Sequence, residues 1–425
     1  MQLLFQPSGA VPCPFVWAVG IENTFVPQTR PGHRALDEYA LMGHNHRWRE
    51  DLDRIAGLGV QAVRYGIPWY QVNPSPGRFD WSWLDEVLPY LVDDRGLVPI
   101  IDLVHYGTPL WLKGEFLAPD YPARVAEYAA AFAERYRTLV CHYTPLNEPA
   151  VTAHRSGFVG AWPPYRRGER GYVAVLLAVA KGMVATAEAI RQVQPAAVFV
   201  HAEDVGLEVA ATVDLAPWAA ERQARRWLPL DLACGLVRPG HPLWPGLIAA
   251  GASAGELELL ADRAIRWDVL GVNFYPWSNR RWRRRADGSV VAGRDRASPA
   301  EALADVLGQV ARRFGCPVLV TETSASGSMG RRLDWMTQVA QGVAQARRDG
   351  VRVLGLTWFP VFTMIDWRYR RSRRSVEYHL LHLGLWDVSG QQESLDRIAT
   401  PLVQAYRHLV QGPVPAIEAR PGSIV

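Results

Sequence analysis

Short apolar runs recur along the chain, each followed by a longer stretch in which apolar residues return every three or four positions. The runs lie at 15–21, 62–67, 98–104, 140–146, 197–201, 269–274, 317–321 and 353–358. They are continuously hydrophobic rather than alternating, as strands are when both faces of a parallel sheet are covered. Between them the three- and four-residue spacing predicts helices over 48–58, 84–92, 123–137, 173–193, 300–314, 333–348 and 402–409. Two helices carry start signals: Asp120 stands before Tyr121-Pro122, and Ser298 is placed to cap a helix with Pro299 in its first position. Eight strands alternating with helices predict an α/β protein, a single closed (β/α)8 TIM barrel. A doubly wound open sheet needs a glycine-rich first turn, and none follows 15–21.

The chain has 425 residues, a length that suits one barrel, with a short N-terminal extension expected over about 1–12 and a C-terminal tail over about 412–425. Its 49% hydrophobic content argues against disorder, and a net charge of +4 is too small to argue for nucleic acid. No apolar run looks long enough to cross a bilayer, since 172–184 is interrupted by Lys181 and Gly182. The first 13 residues lack a basic stretch followed by an apolar core, so no signal peptide is expected. Cys13, Cys141, Cys234 and Cys316 lie far apart, without metal-ligand spacing, and suggest free thiols in a cytoplasmic protein.

Function in a barrel sits at the C-terminal ends of the strands. After the fourth run comes Thr144-Pro145-Leu146-Asn147-Glu148-Pro149, and after the seventh Val320-Thr321-Glu322-Thr323-Ser324. The fourth and seventh strands face each other across a barrel mouth. Two carboxyl groups so placed can share the cleavage of a glycosidic bond, one as general acid and one as nucleophile. Either glutamate alone would be as readily a surface loop residue; the pair is what points to chemistry.

With these motifs in place, the chain resembles family 1 of the glycoside hydrolases, the β-glucosidase and β-galactosidase family. The resemblance runs in order along most of the sequence: Phe15-Val16-Trp17-Ala18, Val63-Arg64-Tyr65-Gly66-Ile67-Pro68-Trp69, Asp102-Leu103-Val104-His105-Tyr106-Gly107-Thr108-Pro109, Asn147-Glu148-Pro149, Gly271-Val272-Asn273-Phe274-Tyr275, Leu319-Val320-Thr321-Glu322, and Thr357-Trp358 through Asp366-Trp367. It implies a retaining β-glycosidase that needs no cofactor and takes a carbohydrate as its partner; metal, nucleic acid and membrane are not expected from the residue pattern, charge and hydropathy. Glu148 would be the acid/base and Glu322 the nucleophile, supported by Arg64 and Tyr275. His105, Asn147, Trp358, Asp366, Trp367 and Glu22 would contact the sugar. A transglycosidase would use the same carboxylates, and a carbohydrate-binding pseudoenzyme would keep the barrel without turnover.

The departures from the family fall on its sugar-gripping periphery. The glutamine expected after the first strand is missing, leaving Glu22 or Asn23; Thr323-Ser324 replaces asparagine-glycine; and Asp366 replaces a glutamate. Two arginine clusters, 280–285 and 368–374, are expected on loops at the active-site face. They are read as solvated loops or a subunit contact, with capture of an anionic group as the alternative. Gly43-His44-Asn45-His46 has no third ligand and argues for no metal. His142, His154, Glu203 and Asp204 are further candidates for lining a pocket, and His201 is expected in the core.

Overall fold

A computed structural model describes residues 4–5, 14–294, 296–389 and 395–413. Its centre is a closed barrel of eight parallel strands: β1 (Val16–Gly20), β2 (Ala62–Gly66), β3 (Val98–Asp102), β4 (His142–Thr144), β5 (Val198–Asp204), β6 (Val269–Asn273), β7 (Val318–Glu322) and β8 (Val353–Trp358). Each pairs with its sequence neighbours, and β8 closes on β1 with Trp17 opposite Leu356. All eight apolar runs therefore became strands, because burial on both sides leaves no polar face for alternation to mark.

Side chains still alternate between the barrel interior and the helical shell. Val16, Ala18, Ala62, Ile100, Val200 and Leu319 fill the interior, and Leu4 and Phe5 join them from below. Trp17, Val63, Tyr65, Tyr143, Leu356 and Trp358 belong to the larger outer cluster under the helices. Near its end β7 shifts register against β6, so that Val320 faces Val272 but Glu322 faces Asn273. Such a bulge re-aims the side chain that follows it.

The predicted helices form, including Tyr121–Arg135, Pro299–Phe314 and Met329–Arg348. Ser298 makes a full capping box with Glu301, whereas Asp120 occupies the cap position and its side chain bonds Arg124 instead of capping the helix. Helices at Ala216–Ala233, Trp244–Ala249 and Ala254–Asp262 escaped the periodicity, the first being rich in arginine and interrupted by Pro229.

Three expectations need correction. The helix Gly168–Val193 is long and apolar enough to cross a membrane by length and composition, although 67% of that stretch is buried in the fold. The 280–285 cluster is not a loop: Arg280–Arg284 is a strand between Glu208–Ala210 and Val290–Arg294. The 368–374 cluster begins within a short helical turn, Trp367–Arg371. The proposed terminal extension and tail lie almost wholly outside the described residues.

Candidate active site

Arg64 stands third in β2 and points into the barrel, where it is almost fully buried. Its guanidinium divides among three acceptors on other strands or their ends. Nη1 donates to Glu322 Oε1, while Nη2 donates to Asp102 Oδ2 at 2.8 Å and to Asn147 Oδ1 at 2.6 Å. Tyr275, just past β6, donates its hydroxyl to the other Glu322 oxygen at 2.7 Å. Both Glu322 oxygens thus accept hydrogen bonds, and the residue is 3% exposed. Charge-assisted donors of this kind fix a carboxylate's orientation.

Glu148 lies at the other side of the same network. Its backbone adopts a left-handed conformation (φ 44°), rare for a residue with a side chain, just before Pro149 opens a helix. Asn273 Nδ2 donates to Glu148 Oε1 at 2.8 Å, and the Tyr106 hydroxyl donates to Oε2. Thr321 holds Asn273 in turn through its Oδ1 at 2.6 Å. Asn147 bonds to Tyr106 at 2.9 Å and to His105 Nε2 at 3.1 Å, and His105 Nδ1 meets Asp102 at 2.7 Å. One connected set of hydrogen bonds therefore joins β2, β3, β4, β6 and β7 around the two glutamates.

The two carboxyl groups sit in different surroundings. Burial, and then the charges of Glu322 and Asp204, push Glu148 well above the ordinary carboxylate range, against the pull of the bonds from Tyr106 and Asn273. Asp102 behaves oppositely: although burial would raise it, Arg64 and His105 hold it below its usual value. Burial would lower Arg64, but Asp102 and Glu322 outweigh it and keep the guanidinium charged. Burial likewise raises Glu22 and, further, Glu38, whose charges oppose each other.

Of the predicted residues, Glu148, Glu322, Arg64, Tyr275, His105 and Asn147 come together in this network, and Glu22 reaches its edge, 3.9 Å from His105 Nε2. Trp367 lies at the rim, its ring 4.9 Å from Trp162 and 5.6 Å from Tyr106, with an indole N–H that has no hydrogen-bond partner among the described residues. Two predictions are corrected. Trp358 does not face the mouth: it is fully buried in the outer cluster and donates to the Leu383 carbonyl at 3.3 Å. Alternation along β8 sends Trp358 outward and Phe359 inward, and Phe359 stacks parallel to His105 with Arg64 over its ring. Asp366 is engaged by its own neighbour, capping the turn at Arg368 N and pairing with that guanidinium, instead of joining the network.

Asp102, Tyr106, Asn273 and Phe359 were not singled out as site residues. The first and third are polar strand-terminal residues, the same signal that marked the two glutamates. The remaining candidates divide. Glu203 is buried beside the site and accepts from Ala150 N, and Asp204 pairs with Arg226. His154 sits against Phe158 at the edge of an outer cleft of about 340 Å³. His142 lies below, bonded to Leu4 N, and His201 packs on Trp267. Among the described residues no group of three or more His, Cys, Asp or Glu is arranged to hold a metal. Arg368 is 87% exposed, and Arg370 is buried on the carbonyls of Val26 and Gln28.

Residues 23–225 match the model of glycosyl hydrolase family 1. Beta-glucosidase A of Thermotoga maritima is 32% identical over 130 residues, 29% of each chain. A bifunctional beta-D-glucosidase/beta-D-fucosidase of Bifidobacterium breve is 35% identical over 121 residues, 26% of each chain. These matches span about a quarter to a third of the curated relatives' lengths. In structure, the chain superposes on a family 1 b-glucosidase from Thermotoga maritima with a TM-score of 0.80, covering 94% of this chain and 98% of that one at 18% identity, which shows the shared fold. Over residues 23–225 the chain is thus similar in sequence to family 1 glycoside hydrolases, and over nearly its whole length it shares their fold.

Proposed function

With residues 23–225 recognised as glycosyl hydrolase family 1, we propose that this barrel is a retaining β-glycosidase in which Glu322 is the nucleophile and Glu148 the acid/base. The observation that carries the reading is the unequal environment of two buried carboxyl groups within one hydrogen-bond network. Glu148, raised by burial and by the charge of Glu322, is suited to deliver a proton to the leaving oxygen. Glu322, held on both oxygens by Arg64 and Tyr275, is suited to attack the anomeric carbon.

In the first displacement the Glu322 carboxylate bonds to the anomeric carbon while the glycosidic C–O bond breaks and Glu148 protonates the departing oxygen. Forming the ester neutralises Glu322 and so removes one cause of the high Glu148 pKa. The deprotonated Glu148 then takes a proton from water, whose oxygen displaces Glu322. Asn147, Glu22, His105 and Phe359 would flank the sugar, and Trp367 would border the mouth.

The test combines stereochemistry with leaving groups. Proton NMR of a turning-over aryl β-glycoside should show the β-anomer first. Glu322→Ala should abolish turnover, and Glu148→Ala should spare dinitrophenyl glycosides far more than phenyl glycosides, because only the poorer leaving group needs protonation. Initial α-anomer, or equal losses on both substrates, would overturn the roles.

A further inference from the structure

Tyr106, in the segment after β3, has a left-handed backbone conformation (φ 77°), a state that is strained for a residue with a side chain. Surrounding rings hold it there: His105 at 4.3 Å, Trp162 at 4.8 Å and Trp367 at 5.6 Å, with the whole side chain buried. Its hydroxyl has two partners, Asn147 Nδ2 and Glu148 Oε2.

The direction of every bond along this line follows from donor and acceptor chemistry. Asp102, held ionised by Arg64, accepts from His105 Nδ1. That leaves His105 Nε2 as an acceptor for one Asn147 amide hydrogen. The second amide hydrogen goes to the Tyr106 oxygen, and Asn147 Oδ1 is taken by Arg64. Tyr106 is left with one proton and one acceptor for it, Glu148 Oε2.

We infer that Tyr106 is a positioning residue for the acid/base: its hydroxyl fixes the Glu148 carboxyl and favours the ionised form, which the second displacement requires. This rests on the reading of Glu148 given above. A donor to the charged form lowers a carboxyl pKa, so Tyr106 opposes burial, Glu322 and Asp204, which raise it. The bond leaves the other lone pair of Oε2 free for the proton transferred to the leaving oxygen.

The test is Tyr106→Phe, which keeps the ring and removes the hydroxyl. The basic limb of kcat/KM on a phenyl glycoside should move up by about one pH unit, and kcat on a dinitrophenyl glycoside, limited by the base-requiring step, should fall about tenfold. A folded variant with an unchanged pH profile and unchanged kcat would show that Tyr106 serves packing alone. Carbon-13 NMR titration of carboxyl-labelled glutamate, with Glu148→Gln to assign the resonance, reads the same shift without turnover. An absence of glycosidase activity in the parent protein would therefore overturn the proposed function, while the titration still decides the Tyr106–Glu148 link. If the phenylalanine variant does not fold, 3-fluorotyrosine placed at position 106 should lower the Glu148 titration, since a more acidic phenol is the stronger donor; an unmoved titration would overturn the inference.

Discussion

Phe359 occupies the space that a β-carbon on Gly20 would need: such an atom would lie 2.3 Å from Phe359 Cδ2. The glycine that ends β1 thus lets the aromatic ring after β8 lie against His105 and Arg64. Gly20→Ala should push the ring off His105, costing about 1–3 kcal/mol in stability as an overpacked core does. KM should rise more than kcat falls. A melt and a kinetic run that both match the parent would show that the ring has room to move.

The neighbouring aromatics should separate by role. Phe359→Ala is expected to raise KM about tenfold or more, with a stability loss of about 3–5 kcal/mol for the emptied site. Trp358→Phe should lower the melting temperature and leave kcat/KM within about twofold, since its ring packs among Tyr406 and the outer cluster. Steady-state kinetics on the two variants would reveal a reversed assignment.

Activity on poor leaving groups should fall as pH rises through the Glu148 pKa, because the proton donor is then lost. That pKa lies above the ordinary carboxylate value through burial, Glu322 and Asp204. Removing one like charge with Asp204→Asn should therefore lower the basic limb of the profile. An upward shift would contradict this balance of charges.

Tyr275→Phe removes one of the two donors to Glu322 and should lower kcat about tenfold or more with little change in KM. A raised KM at constant kcat would make Tyr275 a substrate contact instead. Arg64→Met is the harsher change, because it removes the buried counter-charge of both Asp102 and Glu322; about 3–5 kcal/mol of stability should go with it.

Glu22 presents a carboxyl group, with no N–H to donate, whose Oε1 already accepts from Thr24 N and Oγ1. With Asp366 tied to Arg368, plain β-glucosides should not be strongly preferred over sugars altered at C4–C6. Glu22→Gln supplies an N–H donor and should raise kcat/KM for the glucoside by about tenfold or more, the scale of one well-placed hydrogen bond to a charged or polar partner. A screen of aryl glycosides with both proteins measures this; strong glucoside selectivity in the parent would refute it.

By itself the sequence determined the eight strands, the closure they imply and the positions of His105, Asn147, Glu148 and Glu322 at or just past strand ends. Those features are written locally, as continuous apolar runs followed by a polar residue. The choice between Trp358 and Phe359 was not, because a one-residue difference along a strand sends a side chain to the opposite face, and a run buried on both faces carries no alternation to set the phase. Nor could the clusters at 280–285 and 368–374 be placed, since a run of arginines reads alike whether it forms an exposed strand or grips buried carbonyls as Arg370 does. The raised pKa of Glu148 and its link to Tyr106 belong to the tertiary structure alone. They arise from burial and from charges on β5 and β7, which only closure of the barrel brings within reach of one another.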